Sequence, residues 1–207
     1  MPRLITFGCS YTFGEALPDI HPLLPPKDRV PSKFAWPNLL SNKLGYECLN
    51  LAECGSGNFQ ILIKVLKTKF LPDDLVIISW SHFSRYDFYK ILNSDYEGRQ
   101  IHENNPLFKK IIFNTRVNDI EWKLNYQIKN WLCISHVCLL LETLKIKNYF
   151  FTQSADWENE KIPDFIPTKN RLDVGNGYLI DKALDNGHPG LESHKLLASQ
   201  LYDKINQ

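Results

Sequence analysis

The sequence predicts an α/β fold, a three-layer α/β/α sandwich around a central, mostly parallel sheet. The apolar run Leu-Val-Ile-Ile at 75–78 is typical of a strand buried on both faces, which occurs in parallel sheets covered by helices on each side. Further predicted strands at 4–7, 47–51 and 148–151 alternate along the chain with segments of helical periodicity. This order is typical of strand–helix–strand units with right-handed crossovers.

Composition indicates a single globular domain. The chain has 207 residues, of which 43% are hydrophobic and 23% charged, which excludes disordered, collagen-like and coiled-coil proteins. A net charge of +1 gives no indication of a nucleic acid or a membrane as partner. Five cysteines without a Cys-x-x-Cys pair favour reduced thiols. Together with an N-terminus unlike a signal peptide, they predict a cytoplasmic protein.

The first half of the chain predicts two strands and a helix separated by loops. The strand at 4–7 leads into a turn-prone segment, and prolines between 18 and 37 favour an irregular surface loop. A short helix at 39–44 follows, which Gly45 ends, and a second strand occupies 47–51.

The next segments predict a helix, the central strand and an insertion. A glycine-bearing turn at 52–58 precedes an amphipathic helix that Pro72 ends. Its predicted apolar face consists of Ile61, Leu62, Val65, Leu66 and Phe70. After the strand at 75–78, the polar stretch 93–118 shows little periodicity and is predicted to be an insertion or lid within the single domain 1–207.

The second half predicts two helices around one strand. Proline-free helical periodicity extends from about 120 to 144, and the strand at 148–151 follows. Pro189 is predicted to open the last helix. The residues of that helix expected to face the core are Leu196, Leu197, Leu201 and Ile205.

Three polar loops follow the predicted strands, at 8–14, 54–58 and 79–85. Ligands of open parallel sheets bind at the carboxyl ends of the strands, so these loops are expected to converge on one crevice. If the loop before the last helix lies on the same side, Ser10, His188 and Asp185 meet there as nucleophile, base and orienter.

These three residue types fit acyl transfer. A serine hydroxyl is a poor nucleophile until a histidine accepts its proton, and the imidazole needs a carboxylate to fix its tautomer. Asp185 and His188 are three residues apart, so the carboxylate can reach Nδ1 of the ring. The backbone N–H groups of Ser10 and Gly55 are candidate donors to an oxyanion, although Gly55 is equally explained by a turn with positive φ.

Three motifs fall on these positions: Gly-Cys-Ser-Tyr-Thr-Phe-Gly at 8–14, Gly55 in the second turn, and Asp-Asn-Gly-His at 185–188. In order and spacing they resemble blocks of the SGNH hydrolases, also called GDSL-type esterases and lipases, with Cys9 where the family usually has aspartate. The resemblance implies an SGNH/flavodoxin-like fold over 1–207. It also implies a serine esterase or acylhydrolase that cleaves a small ester, an acyl or acetyl group, through an acyl-serine intermediate, without cofactor.

The third block of the family, Gly-x-Asn-Asp, departs here, because its place is taken by Ser-His-Phe-Ser at 81–84. The oxyanion-hole asparagine is therefore absent from its usual position. Asn58, Ser81 and Arg85 are candidates to replace it as donors. Asn58 is assigned to the oxyanion hole with Ser10 and Gly55, and Ser81 and Arg85 are assigned to substrate binding.

Several alternatives stay open. A non-catalytic SGNH-like module that binds a carbohydrate or acylated ligand is supported by the missing asparagine, and an interaction protein in a larger assembly is a further one. Cys9 is a rival nucleophile, but strand alternation places its thiol opposite Ser10, where burial is expected. His188 and His194 are six residues apart and diverge around a helix, so no metal is predicted. The expected partner is a small-molecule ester or an acylated carbohydrate, and the oligomeric state is open.

Overall fold

The computed structural model describes residues 1–20, 28–83, 85–92, 95–102, 119–152, 163–175 and 177–207. In these residues the chain forms strands and helices in an alternating order. They are β1 (Arg3–Phe7), α1 (Ser10–Phe13), α2 (Trp36–Leu44), β2 (Glu47–Asn50), α3 (Asn58–Lys67), β3 (Leu75–Trp80), β4 (Arg85–Leu92), β5 (Asp95–His102), α4 (Asp119–Thr143), β6 (Lys147–Thr152) and α5 (Leu191–Ile205).

The central sheet has four parallel strands in the order β2-β1-β3-β6. Ile5 of β1 stands opposite Leu49 of β2 on one side and Val76 of β3 on the other. Every residue of β3 is buried, which confirms the prediction of a central strand at 75–78. The parallel arrangement places the ends of β1, β2 and β3 at one edge, where the three polar loops begin.

Helices cover both faces of this sheet, which confirms the three-layer prediction. Successive side chains of a strand point to opposite faces. Accordingly, Ile5 and Phe7 of β1 pack in a cluster with α3 and α4, whereas Leu4 packs in a cluster with α2 and α5. The crevice at the carboxyl ends of the strands is lined by the segments that follow β1 and β2, by the C-terminal part of α3 and by His188.

A β-hairpin follows the central strand β3. Strands β4 and β5 pair antiparallel, with Arg85 opposite His102, and form a separate two-stranded sheet. This hairpin was not predicted, although alternating polar and β-prone residues in Arg-Tyr-Asp-Phe-Tyr-Lys-Ile-Leu are typical of a strand. The first part of the predicted insertion, 95–102, is thus a strand. Residues 103–118 lie outside the described part of the chain, and the insertion stays a prediction.

Several helix boundaries differ from the predicted ones. Helix α2 begins at Trp36, three residues earlier than predicted, because proline is tolerated in the first turn. Helix α3 ends at Lys67, before Pro72 is reached, and Leu66 is 58% exposed and not on the core face. Helix α5 begins at Leu191, two residues after Pro189.

Helix α4 agrees with the prediction in extent, but its apolar residues occupy both sides. Trp131, Ile134 and Leu141 are buried against the sheet, whereas Leu132 and Leu139 are about half exposed. In the described part of the chain, no helix combines the length and hydropathy that a bilayer crossing requires.

His194 of α5 connects the two helices on one face of the sheet. Its imidazole is 2% exposed, and Nδ1 accepts a hydrogen bond of 3.1 Å from the backbone N–H of Trp36, in the first turn of α2. This N–H has no partner within its own helix, so the imidazole supplies the missing acceptor. Burial lowers the pKa of His194 to about 4, although the Asp181 carboxylate opposes the shift.

We expect the protein to lose stability in mild acid through His194. Between about pH 6.5, the ordinary pKa of histidine, and about pH 4, the unfolded chain binds a proton at His194 that the folded chain does not. Stability therefore falls as the pH falls through this window, by roughly 3 kcal/mol in total. Urea unfolding across the window checks this. In His194→Asn, which keeps an acceptor but does not titrate, this part of the pH dependence should vanish, and its persistence would assign it to other groups.

Candidate active site

Ser10 is the first residue of the short helix α1, which begins three residues after the last residue of β1. The carbonyl of Cys9 accepts hydrogen bonds from the N–H groups of Thr12 and Phe13 at 3.0 Å, and this turn fixes the backbone around Ser10. Ser10 lines a cleft at the carboxyl edge of the sheet. Cys9 is 1% exposed and outside the cleft lining, which confirms its predicted burial.

The structure pairs Asp185 with His188 in a tight turn. Oδ2 of Asp185 lies 2.5 Å from Nδ1 of His188, and Oδ1 accepts the backbone N–H groups of Gly187 at 2.9 Å and His188 at 3.0 Å. Burial alone would raise the pKa of Asp185, but these hydrogen bonds outweigh it and hold the pKa below its usual value. The carboxylate is therefore ionised at neutral pH and fixes the orientation of the imidazole ring.

Asp181 anchors this turn to the start of α5. Its carboxylate accepts the backbone N–H groups of Glu192 at 3.0 Å and Ser193 at 2.7 Å, together with the Ser193 hydroxyl at 2.6 Å. These N–H groups belong to the first turn of the helix, so Asp181 acts as its N-terminal cap. Position 190, directly before this helix, has no room for a side chain. A Cβ there would meet the Asp181 carboxylate and lie 2.8 Å from the carbonyl oxygen of Lys182.

We expect Gly190→Ala to destabilise the protein by about 1–3 kcal/mol, since the added methyl group must displace a capped carboxylate or the backbone. Gly177→Ala is the matched control, because a Cβ at Gly177 meets nothing within 4 Å. Urea unfolding of both variants checks this. Equal stability of the two variants would show that the cap has room to move.

Ser10 and His188 line one cleft, of about 1060 Å³. The ring of Tyr11, the residue after Ser10, packs edge-on against the His188 imidazole with centroids 5.5 Å apart. A backbone hydrogen bond of 3.3 Å from Leu184 to Ala16 joins the same two segments. The structure thus brings the predicted serine, histidine and aspartate to one place.

Gly55 occupies the third position of a β-turn that borders this cleft. The N–H of Ser56 donates to the carbonyl of Glu53 at 3.1 Å, and Gly55 has a φ of 83°, which together are the marks of a type II turn. The N–H of Glu53 donates to the carbonyl of Gly8 at 3.2 Å and ties the turn to the end of β1. Within the described residues, the N–H groups of Ser10 and Gly55 donate no hydrogen bond to another protein group.

Asn58 has a structural role at the start of α3. Its side chain is fully buried, accepts the N–H of Ser81 at 2.8 Å, and donates to the carbonyl of Ser81 at 3.2 Å and to Oδ1 of Asn130 at 2.8 Å. Both amide hydrogens are therefore used inside the protein, and the side chain has none left for an oxyanion. We assign Asn58 to fixing the end of β3 in place of the predicted oxyanion donor.

Of the two predicted substrate-binding residues, Ser81 does not line the cleft, and the role of Arg85 stays a prediction. Ser81 is 1% exposed and outside the cleft lining, and the side chain of Arg85 lies outside the described residues. Phe83 stands where the resemblance to SGNH hydrolases implies an asparagine, and its ring packs on Trp131 with centroids 5.0 Å apart. This side chain has no N–H group to donate to an oxyanion. In the part of the chain that the structure describes, no group of three His, Cys, Asp or Glu side chains could hold a metal ion.

Three residues of the cleft wall were missed by sequence reasoning: Glu15, Arg29 and Cys54. The guanidinium of Arg29 forms an ion pair with Glu15, and the thiol of Cys54 donates to the other Glu15 oxygen at 2.7 Å. Glu15 directly follows the motif at 8–14, and Cys54 directly precedes Gly55. Their position next to these motifs is the sequence signal that could have identified Glu15 and Cys54 as residues of the cleft wall.

Known proteins resemble this chain in structure and not in sequence. No family model and no curated protein matches it. Two solved structures align with it at 13% identity. One is a carbohydrate esterase whose active site has divergent catalytic and non-catalytic binding functions (TM-score 0.57, covering 99% of this chain and 68% of that chain). The other is the acetyl xylan esterase AlAXEase (TM-score 0.52, covering 98% and 99%).

This chain shares the fold of these two esterases. An acetyl xylan esterase from the rumen bacterium Butyrivibrio proteoclasticus is a further structural neighbour, with 13% identity, a TM-score of 0.56 and coverage of 99% of this chain and 63% of that chain. Identities this low show a shared fold and not a shared reaction.

Proposed function

We propose that the protein is a serine esterase or acylhydrolase that works through Ser10, His188 and Asp185. The observation that carries this proposal is the Asp185–His188 pair, which is preorganised by three hydrogen bonds and whose histidine lines the same cleft as Ser10. The arrangement leaves Nε2 as the nitrogen able to accept a proton.

In the proposed reaction, Nε2 of His188 accepts the proton of Ser10 while Oγ attacks the ester carbonyl carbon. The N–H groups of Ser10 and Gly55 donate to the oxyanion that forms, and Asp185 stabilises the imidazolium. When the carbon–oxygen bond of the ester breaks, His188 returns its proton to the leaving alcohol. Water, deprotonated by His188 in the same way, then releases the acyl group as a carboxylic acid and restores Ser10.

We propose an acetyl or other small acyl group on a carbohydrate as the substrate class. The cleft volume of about 1060 Å³ is far larger than an acetyl group and leaves room for the alcohol part of the ester. Two structural neighbours are named as acetyl xylan esterases, which is in keeping with such a substrate. The proposed partners include neither nucleic acid nor membrane.

A second candidate is a non-catalytic module that binds a carbohydrate or acylated ligand in the same cleft. One observation favours it: Phe83 is 7% exposed and packs on Trp131 where SGNH hydrolases carry the oxyanion-hole asparagine. Loss of one such donor costs other enzymes about 2.7–4 kcal/mol of transition-state stabilisation.

Incubation with an acetylated xylo-oligosaccharide separates the two candidates. An esterase releases acetate, whereas a binding module gives calorimetric binding without release of acetate. The deacetylated oligosaccharide is the matched control for binding to the sugar alone. If the protein neither releases acetate nor binds the acetylated oligosaccharide, the proposed substrate class is contradicted.

A further inference from the structure

A partly buried chain of polar contacts connects the segment after α1 with the turn that carries Gly55. Arg29 forms an ion pair with Glu15, and the two side chains are only 16% and 17% exposed. The second carboxylate oxygen of Glu15 accepts the thiol hydrogen of Cys54, with Sγ and Oε2 2.7 Å apart. All three side chains belong to the wall of the cleft that contains Ser10 and His188.

The Cys54 thiol is suited to remain a donor in this chain. Burial raises its pKa, and the neighbouring Glu15 carboxylate raises it further. The thiol therefore stays protonated at neutral pH and donates to Glu15. Arg29 thus contacts one carboxylate oxygen of Glu15, and Cys54 contacts the other.

The Glu15–Cys54 contact bears on the direction of the Gly55 N–H group, because Cys54 precedes Gly55 in the turn. Cys54 and Gly55 are the two central residues of the turn formed by 53–56, so the peptide between them carries the N–H of Gly55. Type I and type II turns differ by a near reversal of this central peptide. The direction of the Gly55 N–H therefore depends on which turn is held, and a fixed Cys54 side chain opposes the reversal.

We propose that Glu15, held by Arg29, is a positioning residue that acts through Cys54 to keep the Gly55 N–H directed at the oxyanion formed on Ser10. This inference rests on the proposed function and deepens it. Glu15 directly follows Gly14, the C-cap of the helix that begins with Ser10, so one set of contacts ties the nucleophile segment to the donor turn.

A positioning role and a purely structural role have different kinetic consequences. An oxyanion donor acts on the transition state, so a misdirected N–H lowers kcat and leaves KM nearly unchanged. It also slows the reaction of Ser10 with a fluorophosphonate, whose adduct resembles the tetrahedral intermediate. A purely structural role would instead change the fraction of folded protein and leave both rates per folded molecule unchanged.

The test compares Cys54→Ala with Cys54→Ser, using p-nitrophenyl acetate hydrolysis and fluorophosphonate labelling, both per folded protein as measured by circular dichroism. We expect Cys54→Ala to lower kcat and the labelling rate about 10- to 100-fold with KM within about twofold. Cys54→Ser keeps a donor and should stay within about threefold of the wild type. Cys48→Ala, on β2 and outside the cleft lining, is the matched control.

The outcomes separate this inference from the proposed function. If the wild type reacts at Ser10 and Cys54→Ala has unchanged kcat per folded molecule, the positioning role is overturned while the esterase stands. Equal impairment of Cys54→Ala and Cys54→Ser would also overturn it, since the donor would then be irrelevant. Absence of any Ser10-dependent reaction in the wild type would overturn both. Glu15→Gln, which weakens both contacts, should reproduce the Cys54→Ala result.

Discussion

Ser10→Ala should abolish ester hydrolysis, with kcat/KM for p-nitrophenyl acetate lowered about 10⁴-fold or more. The variant removes the only atom that forms the proposed acyl bond, while Gly55 and His188 remain in place. The backbone hydrogen bonds around residue 10 do not involve the side chain, so the melting temperature should change by only a few degrees.

Cys9→Ala is the control for this variant. The Cys9 side chain is buried and outside the cleft, so its truncation should reduce stability slightly and leave turnover intact. Full activity in Ser10→Ala would remove Ser10 from the mechanism. Activity lost in Cys9→Ala and retained in Ser10→Ala would assign the nucleophile to the thiol.

Asp185→Asn should lower kcat about 10⁴-fold, the magnitude known for the analogous change in a serine protease. Asparagine keeps an oxygen for the N–H groups of Gly187 and His188, so the turn is preserved. It places an amide N–H group against Nδ1 of His188, however, and this favours the tautomer with the hydrogen on Nε2. The imidazole then cannot accept the proton of Ser10.

Asp203→Asn, an exposed change on α5, is the matched control and should have wild-type activity. Steady-state kinetics and thermal unfolding of both variants check this prediction. An active Asp185→Asn enzyme would mean that the Asp185–His188 pair is structural, and the binding-module candidate would then be favoured.

Local pattern was sufficient to predict the layers of the fold. The run at 75–78 indicates burial on both faces, and the structure places it in the middle of a parallel sheet. The hairpin of β4 and β5 was missed because it forms a separate sheet. Its two strands follow each other directly and so depart from the alternation of strands and helices that predicted the central sheet. The start of α2 was missed because prolines around it favoured a loop, although Pro37 lies in the first turn, where no intrahelical donor is needed.

The part of the candidate site that could be predicted consists of residues close to each other in the sequence. Asp185 and His188 are three residues apart, so their contact is a local property of one turn. The role of Asn58 was not predictable, because its partners Ser81 and Asn130 are 23 and 72 residues away and meet it only in the folded chain. Contacts across such separations leave no periodicity in the sequence.

Activation of Ser10 is tested most directly by peptide mapping of the protein after reaction with a fluorophosphonate, in parallel with His188→Ala. An esterase of the proposed kind should carry one phosphonyl adduct, on the peptide that contains Ser10, and the His188 variant should form it at least about 10³-fold more slowly. An unmodified wild-type protein, or an adduct on Ser10 that forms equally fast without His188, would contradict the proposed mechanism.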